Sequence, residues 1–143
     1  MLELPKAWPK RIALIALAIA FVTAGANHFV NPDFFVAIVP PYLPAHLEIV
    51  YLSGFFEIAG GVGALIPRLR SAAGWGLVAL LVAVFPANLH MALHPELFSD
   101  ASPFALYSRL PIQLLLIAWA YWATRADSDP TDSSKVIPES AQN

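Results

Sequence analysis

Cysteine is absent from this 143-residue chain and charge is scarce: only 13% of residues are Asp, Glu, Lys or Arg. Without thiols, disulfide frameworks, CxxC redox chemistry, thiolate metal sites and iron–sulfur ligation are excluded. Water-soluble domains carry about 25% charged residues, so this chain is poorly suited to being a soluble globule. Its 58% hydrophobic content equally excludes disorder of the whole chain. Eight basic residues against ten acidic ones leave a net charge of −2, which supplies no basic surface for nucleic acid. Alternation with period 2 is also missing, which removes a membrane β-barrel. What is present is a mean hydropathy of +0.63, the mark of an integral membrane protein.

Four apolar stretches are long enough to cross a hydrocarbon core, which takes roughly 20 helical residues. The first covers residues 12–30 and stops at Asn31-Pro32, a helix-ending dipeptide. The second covers 47–66 and is closed by Pro67, and the third covers 72–92. The fourth ends near Trp122 and Ala123, with Ser102-Pro103 and Ser108 as alternative starts. Seven of the eight basic residues (Lys6, Lys10, Arg11, Arg68, Arg70, Arg125 and Lys135) fall on one side of these spans, and Arg109 alone on the other. Basic residues accumulate on the cytoplasmic side. The expected fold is therefore all-α: an integral membrane four-helix bundle with both termini inside. A second reading makes the first span a secretory signal peptide, since Lys10-Arg11, an apolar core and Ala24-Gly25-Ala26 have that pattern. Its removal would leave three spans in the same orientation.

This divides the chain into a cytoplasmic N-terminal segment (1–11), a transmembrane domain (12–124) and a polar, Pro-containing tail (125–143) expected to be disordered and cytoplasmic. The first outer loop, 32–46, carries Pro32 and Asp33 after Asn31, then Phe34, Phe35, Ile38 and Val39. That pattern predicts a short interfacial helix over the outer end of the bundle. For helix packing, Ala16, Ala20 and Ala24 suggest a small-residue stripe that His28 continues. On the second span Ser53, Glu57 and Gly61 share a face, with Gly54, Gly60 and Ala64 beside it. Glu57 is thus expected to point into the bundle. Pro86 should disturb the third helix just before Asn88, whose side chain could satisfy the carbonyl that proline frees.

The polar residues within or near the membrane are unevenly placed. His28, Glu57, Asn88, Arg109 and Gln113 all lie toward the outer half, and the inner half is almost purely apolar. Glu57 lies about ten residues inside its span, about 15 Å deep at 1.5 Å per residue. A carboxylate there is costly, and such residues usually serve function with a partner. Arg109 is the natural partner, with Gln113 one turn deeper on its face. Each also has a structural reading: a Glu57–Arg109 pair could simply hold helices two and four together. His90 and His94 stand at metal-ligand spacing, yet His94-Pro95 breaks the helix and no firm third ligand follows, so no metal site is assigned. The tryptophans Trp75, Trp119 and Trp122, with Tyr121, read as interfacial belts on the inner side.

Several motifs occur together. Gly25-Ala26-Asn27-His28-Phe29 precedes Pro32, Phe35 and the run Val39-Pro40-Pro41-Tyr42-Leu43-Pro44. Ser53-Gly54, Glu57-Ile58 and Gly60-Gly61 follow, then Val84-Phe85-Pro86-Ala87-Asn88-Leu89 with Met91, and Arg109-Leu110-Pro111-Ile112-Gln113. As a set these resemble the DoxX-like family of small bacterial membrane proteins, over residues 12–123. The resemblance implies a four-helix bundle in a bacterial cytoplasmic (inner) membrane. It carries over no catalytic residue set, and most such proteins have no assigned reaction, although one relative is a quinone-linked subunit of thiosulfate oxidation.

The functional expectation is an accessory protein that binds a quinone or another small amphiphile in a polar pocket open to the outer face. His28, Glu57, Asn88, Arg109 and Gln113 would line it. Its partners would be the lipid bilayer, the amphiphile and an oxidoreductase. With no catalytic motif, the chain is at most a quinone-linked accessory subunit, and no cofactor is read from it. The alternative is a structural or assembly subunit whose polar residues only lock the bundle. A small transporter fits less well, because the inner half offers no polar exit.

Overall fold

The structure, a computed structural model, describes residues 4–5, 7–99 and 101–125. Four long helices account for most of them: α1 (Trp8–Val30), α3 (His46–Leu65), α4 (Arg70–Leu93) and α5 (Pro103–Thr124). A one-turn helix α2 (Pro32–Val36) lies in the first long connection, and a 3₁₀ turn (Pro95–Leu97) follows α4. All four long helices are long and apolar enough to cross a membrane.

The helices begin and end where backbone chemistry directs. Pro9 sits in the first turn of α1, where its missing N–H costs nothing. The helix accordingly starts at Trp8, four residues before the expected boundary at residue 12, and takes Lys10 and Arg11 into its first turn. Arg11 donates through Nε to the Pro5 carbonyl at 3.3 Å. The α3–α4 connection is a tight turn in which Arg70 N donates to Ile66 O at 2.8 Å. For α5 the first of the two expected caps is used: Ser102 Oγ accepts from Ala105 N at 3.2 Å, with Pro103 at the first helical position. The expected disordered tail lies, apart from Arg125, outside the described residues.

Contacts fix the helix order and direction. Gly25 meets Gly54 while Gly61 meets Ala18, so α1 and α3 run antiparallel. Gly60 meets Leu77 and Gly63 meets Ala73 across α3 and α4; Gly74 meets Thr124 across α4 and α5. With α1 also touching α5, the four form a closed ring in which α3 and α5 stand opposite each other. Leu14, Leu17, Phe21, Ala64, Leu77 and Ala120 fill one end as an apolar core.

The face by which α1 joins the bundle differs from expectation. Ala16, Ala20 and Ala24 are exposed, and the buried face is Leu14, Leu17, Ala18, Phe21, Gly25 and His28. The reason is angular. At about 100° per residue an i, i+4 series drifts about 40° per step, so Ala16 and His28 end about 120° apart. Leu14 and His28 differ by only about 40° on the same count. On α3 the expectation holds: Ser53, Gly54, Gly61 and Ala64 are buried, and Glu57 is largely covered.

Candidate functional site

A close backbone contact between α1 and α3 positions the site. A Cβ on Gly25 would lie 2.5 Å from the Gly54 carbonyl oxygen, and one on Gly54 would lie 2.7 Å from His28 Cβ. Only glycine at both positions lets α1 and α3 approach this far. His28 follows Gly25 by three residues, so the same contact carries its ring onto α3. There Nδ1 lies 2.9 Å from the Val50 carbonyl oxygen and Nε2 lies 3.7 Å from Glu57 Oε2.

A carbonyl only accepts, so Nδ1 carries the hydrogen. In the neutral ring Nε2 is then a bare acceptor facing a carboxyl group. The favourable arrangements put one proton between the two, on Nε2 or on Glu57. At 3.7 Å the pair is at ion-pair rather than hydrogen-bond distance. Glu57 Oε2 is sealed from solvent and has no hydrogen-bond partner among the described residues. That is a costly state for a buried acceptor, and it is one that a donor in the adjoining cavity would relieve.

The cavity has a volume of about 450 Å³, and His28, Glu57, Asn88 and Arg109 all line it. Apart from Ser53, its remaining wall is apolar and includes Phe35, Ile38, Val39, Pro40 and Leu43 from the segment after α1. The short helix expected in this segment is present as α2. Asn31 does not cap it through its side chain but donates from Nδ2 to Asn27 Oδ1 at 2.6 Å. Phe35 lies over His28 with ring centroids 3.8 Å apart, and Pro40 is fully buried. This connection is packed onto the polar cluster.

Gln113 behaves differently. It is 2% exposed and does not line the cavity. Its Oε1 accepts from Asn88 Nδ2 at 2.9 Å and its Nε2 donates to the Leu81 carbonyl. The backbone carbonyl supported here lies one residue before Val82, whose i+4 donor is lost at Pro86. Gln113, rather than Asn88, makes that backbone contact, and Asn88 holds Gln113 in place.

The structure brings four of the five sequence-derived candidates to one cavity and attaches the fifth to it through Asn88. It does not form the expected Glu57–Arg109 pair. Arg109 lines the cavity with no ion pair or hydrogen bond to Glu57, whose side-chain neighbour is His28 Nε2 at 3.7 Å. The ring order explains this: α3 packs against α1, whereas α5 stands across the bundle from α3. Sequence reasoning also missed the Val50 carbonyl and Phe35 as parts of the site. A carbonyl leaves no trace in residue type, but the aromatic two residues after Asp33 on a one-turn helix was a usable signal. Among the described residues no three His, Cys, Asp or Glu side chains gather as a metal ion requires. His90 and His94 are neighbours, with ring centroids 4.7 Å apart, and His94 Nδ1 lies 3.2 Å from Glu96 Oε1.

At the opposite end of the bundle Trp75 and Tyr121 pack edge to face, with ring centroids 5.7 Å apart. Arg125 lies 4.2 Å from the Tyr121 ring centroid and 4.6 Å from that of Trp75, a cation held between amphipathic rings.

Fold and site together define a helical protein with four helices long and apolar enough to cross a membrane and a polar cavity beside a buried His–Glu pair. A family model described as "Domain of unknown function (DUF8561)" matches residues 17–124, and the chain belongs to that family. No curated protein and no solved structure matches it.

Proposed function

We propose that this protein is a DoxX-like accessory protein of a bacterial inner membrane, with both termini in the cytoplasm, that binds a quinone or a similar small amphiphile through its polar head. The observation that carries the reading is the convergence of His28, Glu57, Asn88 and Arg109 on one otherwise mostly apolar cavity of about 450 Å³. Small-molecule sites have this character: mostly apolar, with a few converging polar groups. A quinone head suits it chemically. Its ring matches the apolar wall, its two carbonyls need donors, and Arg109 and the Asn88 amide supply them. A proton carried by either His28 or Glu57 would be placed to reach a carbonyl when electrons arrive from an oxidoreductase partner.

Native mass spectrometry of protein extracted gently from its own membranes tests this, with Glu57→Gln and Arg109→Ala alongside. A bound amphiphile lost in the variants supports the reading. Ligand retained equally by all three proteins overturns it. One observation favours the structural alternative: Gln113 spends its amide entirely on Asn88 and the Leu81 carbonyl, which is a helix-locking role. A ligand-free chain that carries a stoichiometric protein partner would make this second reading the correct one.

A further inference from the structure

A second, wholly apolar groove of about 570 Å³ runs between α3 and α4. Gly60, Gly63, Ala72, Gly76 and Ala79 line it, with Phe56 and Leu69 among its bulky residues. Two observations join it to the polar cavity. Phe56, Leu80 and Ala83 line both spaces, and Phe56 immediately precedes Glu57 in the chain. From Ala83 to Ala72 the groove follows α4 for eleven residues, about 16 Å at 1.5 Å per residue. It therefore leads from the level of the polar cluster toward the α3–α4 turn. Its floor is closed by side chains of α4, since Cβ atoms at Gly60 and Gly63 would meet the Leu77 and Ala73 side chains. Gly76 differs, because a Cβ there would meet nothing within 4 Å. It faces open groove.

We infer that the two spaces form one bipartite site for a long-chain amphiphile, whose head occupies the polar cavity and whose hydrocarbon or isoprenoid chain passes Phe56 and lies along the α3–α4 groove. The inference rests on the reading of the polar cavity as a head-group site and adds the class of molecule: long-chained rather than compact. The alternation of small residues makes room for a chain. A polar occupant would find no side-chain hydrogen-bond partner along the groove.

Binding is measured in one detergent for two benzoquinones that share a head, one without a tail and one carrying an isoprenoid tail. The ratio of their affinities in Gly76→Leu is compared with that in the wild type, so that partitioning into detergent cancels. Val82→Leu serves as the control, because Val82 is exposed on α4 but does not line the groove. The expected result is a several-fold fall in the tailed-to-tailless ratio in Gly76→Leu alone, with tailless binding unchanged. A tailed probe with a diazirine at its far end should label residues 59–63 or 72–79. An unchanged ratio in Gly76→Leu, or label spread evenly over the exposed helix faces, overturns the inference and leaves the head-group reading standing. Failure of both quinones to bind the wild type overturns the two together.

Discussion

His28 Nε2 stands 3.7 Å from Glu57 Oε2 while Nδ1 of the same ring donates to the Val50 carbonyl at 2.9 Å. One imidazole thus ties α1 to the backbone of α3 and to its buried carboxyl group. His28→Ala removes both ties and leaves Glu57 unpartnered, which should cost about 1–3 kcal/mol. Glu57→Gln should cost less, because it keeps the side chain's volume and leaves the His28–Val50 bond in place. The double variant should lose less than the sum of the two, with a coupling of about 0.5–3 kcal/mol. Thermal melts of the four proteins in detergent check this, and strict additivity would show that the pair does not interact.

Alanine should have opposite effects at two glycines. At Gly54 a Cβ falls 2.7 Å from His28 Cβ and 2.8 Å from the Gly25 carbonyl oxygen. Backbone must move, so Gly54→Ala should destabilise the protein by about 1–3 kcal/mol. At Gly76 there is open space, and Gly76→Ala should raise stability by up to about 1 kcal/mol through helix propensity. Melting temperatures that move in the same direction for both would contradict the packing described.

Gln113 and Asn88 form a two-step chain that ends on the backbone. Gln113→Leu strands the Asn88 amide and removes the tie to the Leu81 carbonyl, whereas Asn88→Ala leaves the Gln113–Leu81 bond intact. Gln113→Leu should therefore be the more damaging, by about 1–3 kcal/mol against less than 1 for Asn88→Ala. Unfolding titrations of the two variants give the order directly.

The absence of cysteine makes orientation simple to test. With both termini inside, Ser99→Cys, in the loop after α4, should react with a membrane-impermeant thiol reagent added to intact cells. Ser71→Cys, at the start of α4, should react only after the membrane is opened. The reverse pattern would contradict the orientation drawn from the basic residues.

Composition and run length alone fixed the number of long helices and their approximate ends, because crossing a membrane demands about 20 apolar residues whatever they pack against. Proline and serine chemistry located α2 and offered the right start for α5 as one of two. The inward direction of Glu57 was readable from the glycines beside it. Residue types also named the polar set His28, Glu57, Asn88, Arg109 and Gln113, since polar groups in an apolar span are few. Which of them meet was decided only by tertiary packing. The face of α1 depended on the true helical angle, which drifts away from any fixed i, i+4 series. The close Gly25–Gly54 contact then gave Glu57 to His28 rather than to Arg109, and the ring order placed α5 opposite α3. Partners in a bundle depend on which helices are neighbours and how deeply they interlock, and neither is a property of a single span.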